Sequence, residues 1–111
     1  MAIDPVAGFS STYQEARERF LSAARDRGLA VTSHVHPHLR GAEGEPLAMD
    51  IATLGMRGAP GALILISGTH GAEGFCGSGC QVNFLRDDDF FAALNASGVR
   101  IVFLHALNPY G

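Results

Sequence analysis

The sequence predicts a three-layer α/β fold built on a mixed sheet, and three observations carry that prediction. Ala62-Leu63-Ile64-Leu65-Ile66 is apolar at every position, as expected of a central strand covered on both sides. A second buried run, Val99 to Leu104, follows two helical pieces at about 75–86 and 89–96, and this strand–helix–strand unit implies a right-handed parallel crossover. Upstream, the segments 30–36 and 47–54 alternate with period two, which suits an antiparallel pair.

The elements follow in order. Residues 1–11 read as a loose tail. Thr12 and Glu15 form a capping box, and Tyr13, Ala16, Phe20, Leu21 and Ala24 recur at helical spacing, so a helix spans about 12–27. Gly28 stops it, just after Arg25 and Arg27. Ala30 to His36 ends at Pro37, as an edge strand does. Gly41 to Pro46 is a turn. In 47–54, Leu47, Met49 and Ile51 alternate with Ala48, Asp50 and Ala52, a strand with one wet face. Gly58 to Gly61 is a second turn, ahead of the 62–66 strand. Asp87, Asp88 and Asp89 suit the N-terminus of the last helix, where negative charge is stabilised.

Length and composition bound the function. At 111 residues the chain is one domain or part of one, and 47% apolar content can build a core. Eight basic against eleven acidic residues give a net charge of −3. There is no basic cluster, so nucleic acid is not an expected partner. No apolar run approaches the length of a membrane span, and the N-terminus has no signal-peptide pattern, so no membrane is expected either. Cys76 and Cys80 share a helix face and read as reduced thiols of the core; a cytoplasmic location is the default expectation.

The chemistry concentrates at Ile66-Ser67-Gly68-Thr69-His70-Gly71-Ala72-Glu73-Gly74-Phe75. His70 and Glu73 lie three apart on a turn that follows a buried strand, so an imidazole and a carboxylate can aim at one point. Both are ordinary Zn2+ ligands. Gly68, Gly71 and Gly74 allow the sharp bend. Ligand sites in such sheets lie beyond the carboxyl ends of central strands, and His105 to Asn108 follow the other such end. His105 reads as a supporting or structural histidine. His34, His36 and His38 share one face of an extended segment, which can hold a metal ion or simply be a solvated edge strand. The Asp87–Asp89 run has no calcium-loop spacing.

SGTHGAEGFCGSGCQ, the later HALNPYG and the upstream Glu45 to Ala52 together resemble the zinc carboxypeptidase superfamily, and within it the bacterial DUF2817 group of carboxypeptidase-like proteins. The resemblance covers about residues 12–111. It implies a three-layer sheet of the zinc-carboxypeptidase (phosphorylase/hydrolase-like) type, with this chain its N-terminal portion. It implies His70 and Glu73 as two zinc ligands and Asn108 as part of the substrate-binding rim. A third histidine ligand, a substrate-binding arginine and a glutamate base are implied downstream of Gly111, so no catalytic base is expected within these residues. Zinc would polarise a carbonyl and activate water for attack on a peptide or an N-acyl amino acid. Tyr110 stands where the peptidases usually carry Asp.

Two alternatives stay open. The Thr-His-Gly-x-Glu form also resembles the aspartoacylase and succinylglutamate desuccinylase branch, which usually has Asn where Ala72 stands. The chain is otherwise a truncated, non-catalytic domain. In every case the fragment is expected to be inactive alone, to hold zinc weakly, and to self-associate through an apolar edge at residues 99–104.

Overall fold

The computed structural model describes residues 4–111. After a 310 turn at Pro5–Gly8, the elements are α1 (Tyr13–Asp26), β1 (Ala30–Arg40), β2 (Pro46–Leu54), β3 (Ala62–Ile66), α2 (Gly74–Arg86), α3 (Asp88–Ala96) and β4 (Arg100–His105). The sheet is mixed, in the order β1-β2-β4-β3. β1 pairs antiparallel with β2, β2 antiparallel with β4, and β3 parallel with β4. The expected strand–helix–strand unit is therefore present.

Local chemistry sets the helix ends. Thr12 Oγ1 accepts from Glu15 N at 3.2 Å. The Glu15 carboxylate does not return to Thr12; it pairs with Arg19 at 3.1 Å. α1 stops at Gly28, whose N–H bonds Arg25 O at 2.9 Å. Asp87 caps α3 by accepting from Phe90 N at 3.0 Å. Asp88 pairs at 2.7 Å with Arg27, whose guanidinium also covers the Phe91 ring. This clamp ties the end of α1 to the α2–α3 junction.

One core joins all three helices to a single face of the sheet. Phe20 and Leu21 from α1, Val82 and Leu85 from α2, and Leu94 from α3 meet Ala52, Ile101 and Phe103. The expected sheet and one helical layer are thus formed; a second helical layer is not formed by the described residues. The other face carries Met49, Ile51, Ile64, Ile66, Val102 and Leu104, all partly or largely exposed.

Four expectations need correction. The wet face of β2 is reversed: Ala48, Asp50 and Ala52 are fully buried, while Met49 and Ile51 lie on the open face. Small alanines let α1 approach closely, and Asp50 is buried because Arg17 and Ser33 satisfy it. β3 is not central. It lies at the sheet edge, with Ile64 and Ile66 at 56% and 52% exposure. The sheet edges are therefore β1 and β3, and β4 has a neighbour on each side.

β1 runs past Pro37 to Arg40, although its pairing becomes irregular after Val35, as a residue without an N–H requires. Lastly, residues 4–9 are not a loose tail. Asn83 donates to Pro5 O at 2.8 Å, Arg19 donates to the carbonyls of Ala7 and Phe9, and the Phe9 ring lies against Gly79, where any side chain would collide with it.

Candidate functional site

The site is built where β3 and β4 end side by side. Their pairing continues beyond both strands: Ser67 N donates to Leu104 O at 3.0 Å, Leu107 N to Ser67 O at 2.9 Å and Asn108 N to Gly68 O at 2.8 Å. The 67–73 turn and the 106–111 loop are thereby joined, as expected of motifs that follow two adjacent strand ends. Gly68 and Gly71 both have φ of 66°, a region that side chains disfavour. At Gly68 space also demands glycine, because a Cβ there would lie 2.9 Å from Ala106 Cα.

Beneath the joined loops lies a buried polar latch that sequence reading missed. Ser67 Oγ donates to Gln81 Oε1 at 2.9 Å and accepts from Ala106 N at 3.2 Å. Gln81 Nε2 donates to Leu65 O at 2.8 Å and Leu104 O at 3.1 Å. One side chain of α2 therefore ties both strand ends to the root of the turn. The available signal was a glutamine inside the apolar face of a helix, between Cys80 and Val82.

On this support His70 Nδ1 lies 2.9 Å from Glu73 Oε1. Glu73 is the N-cap of α2 but makes no side-chain cap bond, so its carboxylate is available to the histidine. The two side chains are 76% and 65% exposed. An imidazole and a carboxylate side by side fit two ligands of a zinc ion. Among the described residues no group of three or more His, Cys, Asp or Glu is placed to hold a metal ion, so His70 and Glu73 stand as a pair. Asn108 closes its own turn by accepting from Gly111 N at 3.2 Å and is joined to Gly68 through its backbone.

Behind the turn, between it and the starts of α1 and α2, is a cleft of about 330 Å3. His105 and Ser78 line it, with His105 Nε2 2.8 Å from Ser78 Oγ. His105 is 1% exposed. Burial pushes its pKa down to about 4, with Asp50 opposing and Arg17 assisting, so the imidazole is neutral at pH 7. Asp50 stands opposite His105 in the β2–β4 register. It is held by Arg17 at 2.8 and 3.2 Å and by the Ser33 hydroxyl at 2.5 Å.

The other candidates separate from the site. His36 Nδ1 accepts from His38 N and Leu39 N at 3.2 and 3.0 Å, so it stabilises an irregular strand, and the three β1 histidines form no metal group. Cys76 and Cys80 are free thiols, as expected, but Cys76 is exposed and not in the core. Burial and the adjacent Cys76 raise the Cys80 pKa. No helix is long and apolar enough to cross a membrane, among the described residues.

Comparison with known proteins supplies two findings. The family described as "Protein of unknown function (DUF2817)" matches residues 9–111. A solved structure of Porphyromonas gingivalis glutaminyl cyclase is similar in fold, with a TM-score of 0.58 and 18% identity; the match covers 92% of this chain and 39% of that one. The chain therefore spans well under half the length of that enzyme, and at this identity the likeness concerns the fold alone. No curated protein matches.

Proposed function

Because the chain belongs to the DUF2817 family, we propose that it forms the N-terminal portion of a zinc-dependent hydrolase resembling the carboxypeptidases. The observation that carries this reading is the 2.9 Å approach of His70 Nδ1 to Glu73 Oε1 on a turn at the carboxyl end of β3. His70 and Glu73 would hold the ion. Polarisation of a substrate carbonyl is the chemistry such an ion supplies when bound. The Ser67–Gln81 latch holds the turn in place, and the 106–111 loop forms one wall, with Asn108 on the substrate rim. The third ligand, the base and the substrate-binding arginine are assigned to polypeptide outside this sequence. The substrate class is a peptide or an N-acyl amino acid.

Equilibrium dialysis against zinc tests the half-site. The 111-residue chain should bind zinc weakly, and His70→Ala or Glu73→Gln should each weaken binding by about tenfold or more. Equal retention by wild type and both variants would overturn the assignment. With zinc supplied, the chain should not hydrolyse C-terminal peptides or N-acyl amino acids, since an absent general base alone costs about 10² to 10⁴ in rate.

A further inference from the structure

We propose that the cleft behind the 67–73 turn is a recognition pocket for a compact, uncharged group bearing one hydrogen-bond acceptor, such as a neutral side chain or short acyl chain of the substrate. Calling that group part of the substrate rests on the reading above; the binding itself needs no metal.

The floor of the cleft is chemically specific. His105 and Ser78 are both buried, and both line it. His105 Nδ1 is buried without a partner, and Nε2 faces Ser78 Oγ. A neutral imidazole carries its proton on one nitrogen only. With the proton on Nδ1, a buried N–H donor would go unpaired, which is unfavourable. With the proton on Nε2, the ring donates to Ser78 and leaves only a lone pair unmet. The second arrangement is the cheaper one. It makes Ser78 Oγ an acceptor from His105, and among the described residues its own O–H has no other partner. That hydroxyl is the donor offered to a ligand.

The walls set the polarity. Ala16, Phe75 and Pro109 supply apolar surface, and no Asp, Glu, Lys or Arg lines the cleft. Asp50, close behind His105, is already held by Arg17 and Ser33. A charged group entering would lose its water without gaining an oppositely charged side chain, which is unfavourable. The volume, about 330 Å3, falls in the range of small-ligand sites.

The backbone is an independent sign. Ala106, which follows His105 and lines the cleft, has φ of 57°. A side chain in that region is strained, and such strain persists where the surroundings over-determine it, often at binding sites. Here the Ala106 N–H to Ser67 Oγ bond and the contact with Gly68 hold it. Gly71 and Asn108 also line the cleft, so it adjoins the turn that carries His70 and Glu73.

The test is an amide-resolved NMR titration of the metal-free 111-residue chain with N-acetyl-leucinamide, with N-acetyl-aspartate and N-acetyl-lysine as charged comparators. Saturable shifts should cluster at Ala16, Phe75, Ser78 and Ala106 with the neutral probe and be absent with the charged ones. Ser78→Ala should weaken binding about threefold to tenfold, the worth of one neutral hydrogen bond, and Ala16→Phe should abolish it by filling the space. If Ala16→Phe does not fold, the Ser78→Ala affinity decides alone. No saturable shift, an equal response to the charged probes, or shifts centred elsewhere would overturn the pocket. Zinc binding that depends on His70 without probe binding would overturn the pocket and spare the half-site. Probe binding without zinc binding would support the pocket and sink the half-site.

Discussion

Gln81 Oε1 accepts the Ser67 hydroxyl at 2.9 Å, while its amide nitrogen serves the carbonyls of Leu65 and Leu104. This one side chain satisfies three buried groups at the ends of two strands. Gln81→Leu keeps much of the volume and removes all three bonds, leaving the Ser67 hydroxyl without its acceptor while Leu104 O keeps the Ser67 N–H. The expected cost is about 2–4 kcal/mol of stability in urea unfolding, with zinc affinity reduced about tenfold although His70 and Glu73, the proposed ligands, remain. A variant as stable as wild type, with unchanged zinc affinity, would remove the latch from the account.

His105 stacks on Phe20, with ring centroids 4.6 Å apart. Its folded pKa is about 4 against the usual 6.5, chiefly through burial, with Asp50 and Arg17 the charged groups facing it. A depressed histidine pKa means that the unfolded chain binds more protons between those values. Stability should therefore be full above about pH 6.5 and decline as the pH falls towards 4. The decline between pH 7 and pH 5 should be about 2 kcal/mol. His105→Gln should flatten that part of the pH–stability curve measured by urea unfolding; an equal slope in wild type and variant would assign it to other groups.

Arg17 makes two hydrogen bonds to the fully buried Asp50. Removing only the cation strands a buried carboxylate, so Arg17→Met should destabilise by about 3–5 kcal/mol. Pairing it with Asp50→Leu should recover much of that loss, because both charges then leave together. A double variant as unstable as Arg17→Met alone would show that the carboxylate was not the strained partner.

Ile64 and Ile66 are more than half exposed on an edge strand without a charged residue. Such edges pair with other strands, and exposed apolar faces associate. The 111-residue chain should self-associate through β3 and the open face. Light scattering should give a mass above 11.7 kDa, and Ile64→Lys should return it towards the monomer. A stable monomer at high concentration would refute this.

Much of the fold was legible because its signals are local. Thr12 before an amphipathic run, Gly28 after it, and Asp87 ahead of Asp88–Ala96 each mark a helix end through bonds to near neighbours. The His70–Glu73 approach was legible for the same reason, since three residues on a tight turn leave little freedom. Asp50 was misread because period two identifies two faces but not which is inside. Its partners lie 17 and 33 residues away, and only packing reveals them.

By itself, therefore, the sequence determined the order and type of the elements and placed an imidazole beside a carboxylate at the end of a strand. Tertiary structure alone decided that β3 is an edge, that Ala48, Asp50 and Ala52 face the helices, and that Gln81 latches the two strand ends. It also decided that Ser78 and His105 meet, 27 residues apart, at the floor of a cleft. The physical reason is range: capping and periodicity act over a few residues, whereas burial, buried charge pairing and cavity shape depend on which distant surfaces are brought together.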